Sequence, residues 1–181
     1  FKNWNISKNN WELHKNLSFS GRNEHPIAIA IRKDDVDSLQ KFISDPSFKP
    51  NSTIKPSIYE RFSLMNIFKK ERKDDPENGI KFIDFAAFFG ALKCFKYLLL
   101  NGFEFSEMSF NYAICGGVSE IIHICEEKKC QSKGSVFYAI QFHRHDILNW
   151  LIDTKGENIN EEPQKIARCV VKNFNIDALV N

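Results

Sequence analysis

The sequence predicts an all-α chain, a solenoid of short helix-turn-helix units with little or no β-hairpin. Three observations carry that prediction. Small residues return at a period of 26, in Ala87, Ala113 and Ala139, with Gly90 and Gly116 three places after the first two and Phe142 in the third copy. Eight, eleven and twelve places after each alanine stands an apolar set: Phe95, Leu98 and Leu99; Ile121, Ile124 and Cys125; Ile147, Trp150 and Leu151. Glycine and proline are scarce, at 8 and 6 of 181 residues, which suits helices joined by short turns. Self-similarity at about 20–50 residues marks units that bury their apolar faces only against their neighbours.

The elements follow in order. Residues 1–23 have no clear period, and Trp4 and Trp11 make them a capping tail with two large apolar anchors. Repeat 1 spans 24–45: His25-Pro26 opens a helix through Ile27 to Ile31, and Val36, Leu39, Phe42 and Ile43 line the second. Ile31 takes the reference alanine position. An insertion covers 46–80, with Pro46, Pro50, Pro56 and Pro76 and a charged run from Lys69 to Asp75. So long a segment is rarely structureless throughout, so Ser57 to Phe68 is expected to fold back as a short helix and the charged run to form a disordered loop.

Repeat 2, 81–103, places Ile83, Phe85, Ala86 and Ala87 in a first helix that Gly90 ends, and Phe95, Leu98 and Leu99 on a buried i, i+3, i+4 face. Repeat 3, 107–128, turns at Gly116-Gly117. Repeat 4, 133–154, has Ser135 as its expected N-cap and a turn around His143-Arg144. A small insertion at 156–161 precedes a truncated repeat 5, 162–181, in which Val170 takes the reference position. The chain reads as a segment of a longer polypeptide, with Val170, Val171, Ala178 and Leu179 leaving an apolar side exposed.

Composition bounds the function. At 43% apolar and 27% charged residues the chain is too apolar for disorder, and a net charge of +2 gives no global attraction for nucleic acid or anionic membrane. The one basic cluster, Lys69, Lys70, Arg72 and Lys73, is cancelled by Asp74, Asp75 and Glu77. The apolar stretch 82–100 carries Asp84, Lys93 and Lys96 around Gly90, which suits two amphipathic helices and not a membrane span. Five cysteines without a C-x-x-C pair read as reduced, buried thiols of a cytoplasmic protein.

Residues 82–102, FIDFAAFFGALKCFKYLLLNG, resemble the helical core of an ankyrin repeat, with Ala86-Ala87, Gly90, Leu92, Leu98, Leu99 and Gly102 in matching positions. SFNYAICGGVSEIIHICEE and SVFYAIQFHRHDILNWLID are similar to degenerate copies, and the resemblance covers about 25–45 and 81–181. The ankyrin period is 33 with a Thr-Pro-Leu-His start, so about seven residues per unit, those of the protruding finger, are missing here. The chain is more similar to the short, divergent ankyrin-like repeats of large protist protein families. The resemblance implies a protein-binding scaffold, contacted through the two residues between the alanines and the glycine, on the concave face. Those residues are Phe88 and Phe89, with Arg32 and Lys33, Ile114 and Cys115, and Ile140 and Gln141 as equivalents.

Other chemistry is not expected. His143 and His145, with His123 and Cys125 a repeat away, lack a zinc spacing, because residues two apart on a helix face different ways. No phosphate loop, G-x-S-x-G elbow or H-E-x-x-H occurs, so neither a catalytic residue, a metal nor a cofactor is assigned. The expected partner is a protein. The alternative is a structural subunit held permanently in a cytoskeletal or other large assembly.

Overall fold

The computed structural model describes residues 8–48, 52–60, 79–132, 134–158 and 161–175. The elements are α1 (Lys8–Ser20), α2 (Pro26–Arg32), α3 (Val36–Ile43), β1 (Thr53–Ile54), β2 (Ile80–Lys81), α4 (Phe82–Phe88), α5 (Leu92–Leu100), α6 (Ser109–Gly116), α7 (Ser119–Glu127), α8 (Ser135–Gln141), α9 (His145–Lys155) and α10 (Pro163–Lys172). The described part is mostly helical, with two short strands. The chain divides into two compact units, Phe1–Phe82 and Ile83–Asn181.

In the first unit, α2 starts at Pro26, whose fixed φ suits a first helical position, and the His25 ring accepts a hydrogen bond from the Ile27 amide. Asp35 caps α3, its Oδ1 accepting from the Ser38 amide at 3.0 Å. These bonds to Ser38 hold the Asp35 carboxyl below its usual pKa. The helices pack on each other through Ile27, Ala30, Ile31 and Leu39, all buried. The ends of the insertion meet in an antiparallel bridge, Thr53 opposite Lys81 and Ile54 opposite Ile80. Lys55 then offers its carbonyl to Asn23 at 2.8 Å, and Tyr59 contacts His14.

Two expectations change here. The tail holds a 13-residue helix, α1, and Trp11 is no buried anchor: it is 56% exposed and stacks on His14. Ser57 to Glu60 form a turn and not the start of a helix. Trp4, residues 61–68 and the charged run 69–75 lie outside the described residues.

The second unit repeats one packing. Helix pairs α6–α7 and α8–α9 each close on themselves, α6 packs on α8, α8 on α10, and α5 on α7. The first helices α4 and α6 are buried nearly all round, through Phe82 to Ala87 and Ser109 to Cys115, and α8 buries Val136, Ala139 and Ile140. The second helices bury one face each, Phe95 and Leu98, Ile122 and Cys125, Leu148 and Leu151, and α10 buries Ile166 and Val170. Burying each larger side chain contributes about 1.5–3 kcal/mol before the cost of ordering it. Ser135 is not the N-cap of α8; Gly134 takes that place, and the Ser135 hydroxyl donates to the Ser132 carbonyl.

The helix turns set the true register. After α4 the Ala91 amide donates to Ala86 O at 2.9 Å across left-handed Gly90. After α8 the Arg144 amide donates to Ala139 O at 2.8 Å across left-handed His143. The same bond joins Asp35 to Ala30 across Asp34, and Asn175 to Val170 across Phe174. After α6, Gly117 takes the left-handed place and its amide donates to Ala113 O. The equivalent residues are therefore Ala30, Ala86, Ala113, Ala139 and Val170. The strict period of 26 with Ala87 as reference is one residue out in its first copy. Burial agrees: Leu99 is only half-buried, whereas Leu98, Cys125 and Leu151, each twelve residues after the turn-defined reference, are buried.

Candidate functional site

The corrected register decides which residues occupy the expected binding positions, two and three places after each reference residue. In unit 1 these are Arg32 and Lys33, as the sequence predicts. In unit 2 they are Phe88 and Phe89, Cys115 and Gly116, Gln141 and Phe142, and Lys172 and Asn173.

The consequence is a correction at two residues. Ile114 and Ile140 stand one place after the reference, as do Ile31 and Ala87, and all four are buried. They supply core and not a contact surface. Cys115 is buried as well, and that burial pushes its thiol far above the ordinary range, with Arg144 pulling the other way. It is not a poised nucleophile. Gln141 is half-buried. Arg32 is half-buried in unit 1, where its Nη2 donates to the Asn23 carbonyl at 2.6 Å; burial lowers its pKa, with Arg22 adding to the effect. Lys33 is exposed.

What the fold does assemble is an aromatic cluster on unit 2. The Phe88 ring lies 5.2 Å from Phe89, 5.4 Å from Phe142 and 6.4 Å from Tyr112, each edge to face. Phe89 is also 4.6 Å from Phe85. Edge-to-face pairs at these separations are favourable beyond the area they bury, by about 0.5–1.5 kcal/mol each. The rings grade from buried Phe85 and Tyr112, through half-buried Phe88 and Phe142, to Phe89 at 41% exposed.

Gly116 makes the cluster possible. Phe88 and Phe142 belong to the copies on either side of it, and Gly116 sits at the intervening position with no side chain to part them. A Cβ on Gly116 would overlap the Ala87 carbonyl oxygen, so the backbones of α4 and α6 approach at a distance only glycine allows. The end of α6 is then held from the next copy. The Arg144 guanidinium donates from Nε to Cys115 O at 3.0 Å, and from Nη2 to Cys115 O at 2.9 Å and Gly116 O at 3.1 Å. A cation on the last carbonyls of a helix opposes the negative end of its dipole. Asn175 repeats the device one copy later, its Nδ2 donating to Ile140 O at 2.7 Å.

The sequence therefore brings Phe88 and Phe89 to the site, and Phe142 joins them unannounced. Phe142 looks like a lost glycine when copies are aligned on Ala87. Aligned on the left-handed turn residue, it stands with Phe89.

A family model described as a domain of unknown function (DUF3447) matches residues 100–180, less than half of the chain; this domain occurs in ankyrin-repeat-containing proteins. Comparison with curated proteins and with solved structures gives no match. Among the described residues no group of three or more His, Cys, Asp or Glu could hold a metal ion, and no helix is long and apolar enough to cross a membrane.

Proposed function

We propose that this chain is a non-catalytic scaffold of ankyrin-like helix pairs stacked as a solenoid, and that it holds a protein partner through the aromatic cluster around Phe89. The observation that carries this reading is the setting of Phe89: 41% exposed, yet fixed between Phe85 and Phe88 at a helix end. A large ring held rigidly at a surface loses little entropy on binding, and such aromatics dominate interface energetics. Phe88 beside it, and Phe142 on the far side of Phe88, are half-buried. The match of residues 100–180 to a domain that occurs in ankyrin-repeat proteins supports the same class of work.

Phe89→Ser is the test, because Phe88 carries the ring contacts that hold the cluster together and Phe89 carries the exposed edge. In affinity capture from the native cell, partners retained by the unaltered chain should be lost with an affinity fall of about 30-fold, the equivalent of ~2 kcal/mol. The melting temperature should stay within about 3 °C, a shift worth less than ~1 kcal/mol for a chain of this size. Full retention of the captured proteins would place the interface elsewhere and favour a permanently assembled structural subunit.

A further inference from the structure

We propose that the outer side of α10, formed by Ala167, Arg168 and Val171, is a docking surface for one further helix pair built like α6–α7, whose first helix sets a carboxylate against Arg168. This inference does not depend on the aromatic cluster.

Comparison of equivalent positions carries it. One place after the reference residue stand Ile31, Ala87, Ile114 and Ile140, between 0% and 1% exposed, but Val171 is 70% exposed. Three places before the reference stand Ile27, Ile83, Phe110 and Val136, all buried, but Ala167 is exposed. Two places before it stand Ala28, Asp84 and Asn111, all buried, with Phe137 half-buried, but Arg168 is exposed. The side that α10 turns to solvent is thus the side that its equivalents bury.

In unit 2 the structure also identifies what covers that side. Ala87 is met by Gly116 of the next pair, Ile140 O accepts from Asn175 of the next pair, and Phe137 O accepts from the Cys169 thiol at 3.5 Å. The cover is each time the first helix of the following copy, α6 or α10, or the turn that closes it. A helix pair is therefore the occupant that fits α10, in preference to a bare peptide or a lipid surface.

The polar chemistry narrows it further. Asp84, two places before its reference, accepts a buried hydrogen bond from the hydroxyl of Ser109, which stands four places before the next reference. At α10 the first of these positions is Arg168, so the occupant's residue in the place of Ser109 must accept rather than donate. A carboxylate does so with a charge-assisted bond. The sequence of α10, PQKIARCVVK, holds no acid of its own, and Lys165 already lies 2.5 Å from Glu162. Two copies of this chain meeting α10 to α10 would oppose Arg168 and Lys172 to the same charges, which disfavours self-docking.

The test extends the full chain after Asn181 with a duplicate of residues 98–132, which keeps the spacing from Ala86 to Ser109, in one form with Glu and in another with Lys at the position copied from Ser109. Val171→Cys reports, through its rate of maleimide labelling read by peptide mass. The expected result is labelling at least tenfold slower in the Glu extension than in the unextended chain, with the Lys extension at least threefold less protected than the Glu form. Equal labelling with and without the extension overturns the proposal, whether or not helical signal is gained. Equal protection by Glu and Lys overturns the carboxylate. Protection of the unextended chain that grows with its own concentration makes a second copy the occupant, and the proposal falls.

Discussion

The turn after α4 and the turn after α8 have the same backbone and opposite sequence logic. One sets Gly90 at φ +64° and the other His143 at φ +54°, although an L-residue in the left-handed region costs about 1–2 kcal/mol. Both are closed by the same bond from the residue after the turn to the reference alanine, at 2.9 and 2.8 Å. At His143 the strain is offset locally, because its Nε2 donates to Asn173 O at 3.1 Å. At Gly90 there is no room for such an exchange: an added Cβ would lie 2.8 Å from Val118 Cγ2. The buried alanine and its returning bond hold the turn. Glycine is needed only where the next copy crowds it.

If crowding is what selects glycine, the largest effect belongs to Gly116, where the approach is backbone to backbone. Gly116→Val should destabilise by about 3 kcal/mol or more, since overpacking against a carbonyl cannot be relieved by a rotamer change. Urea unfolding followed by circular dichroism reads this directly. A loss below ~0.5 kcal/mol, the size of an ordinary surface substitution, would mean that α4 and α6 can separate without consequence. Next in size is Arg144→Met, which keeps the stem and removes three bonds to Cys115 and Gly116 carbonyls. Its expected cost is about 1.5–3 kcal/mol, the range for hydrogen bonds to a charged group. An unchanged midpoint would show that water caps α6 equally well.

The helix pairs were legible because their buried residues keep helical spacing, as at Ile121, Ile122 and Cys125. Their register was not, and the reason lies in two doublets. Ala86-Ala87 and Gly116-Gly117 each offer two candidates, and apolar periodicity does not choose between them. Only the left-handed φ chooses, and it falls on Asp34, His143 and Phe174 as readily as on glycine. The candidate site inherits that ambiguity: Phe88 is half-buried and Phe89 exposed, whereas Ile114 and Ile140, one residue nearer the reference, are core. Helix α1 had no apolar stripe to reveal it, and its Trp11, Leu13 and Phe19 are all exposed. The bridge between β1 and β2 pairs two residues with two, which is too short for alternation to register.

The smallest effect tests the comparison of the two turns most sharply. His143→Gly should change stability by less than about 1 kcal/mol, because relief of the left-handed strain is offset by the lost bond to Asn173 O and by the greater freedom of glycine in the unfolded chain. His143→Ala keeps the strain and loses the bond, so the difference between Ala and Gly at 143 isolates the backbone cost, about 1 kcal/mol. At position 90 the same difference, Gly90→Ala against the unaltered chain, contains that cost plus the contact with Val118. It should therefore exceed the value at 143 by about 1 kcal/mol or more, an overpacking increment, and adding Val118→Ala should return it to the smaller figure. Such a recovery is what a double-mutant cycle reports for residues in contact. Equal Ala–Gly differences at 90 and 143 would break the argument: crowding by the next copy would then play no part in choosing glycine, and Gly90 would stand in this chain for its backbone freedom alone.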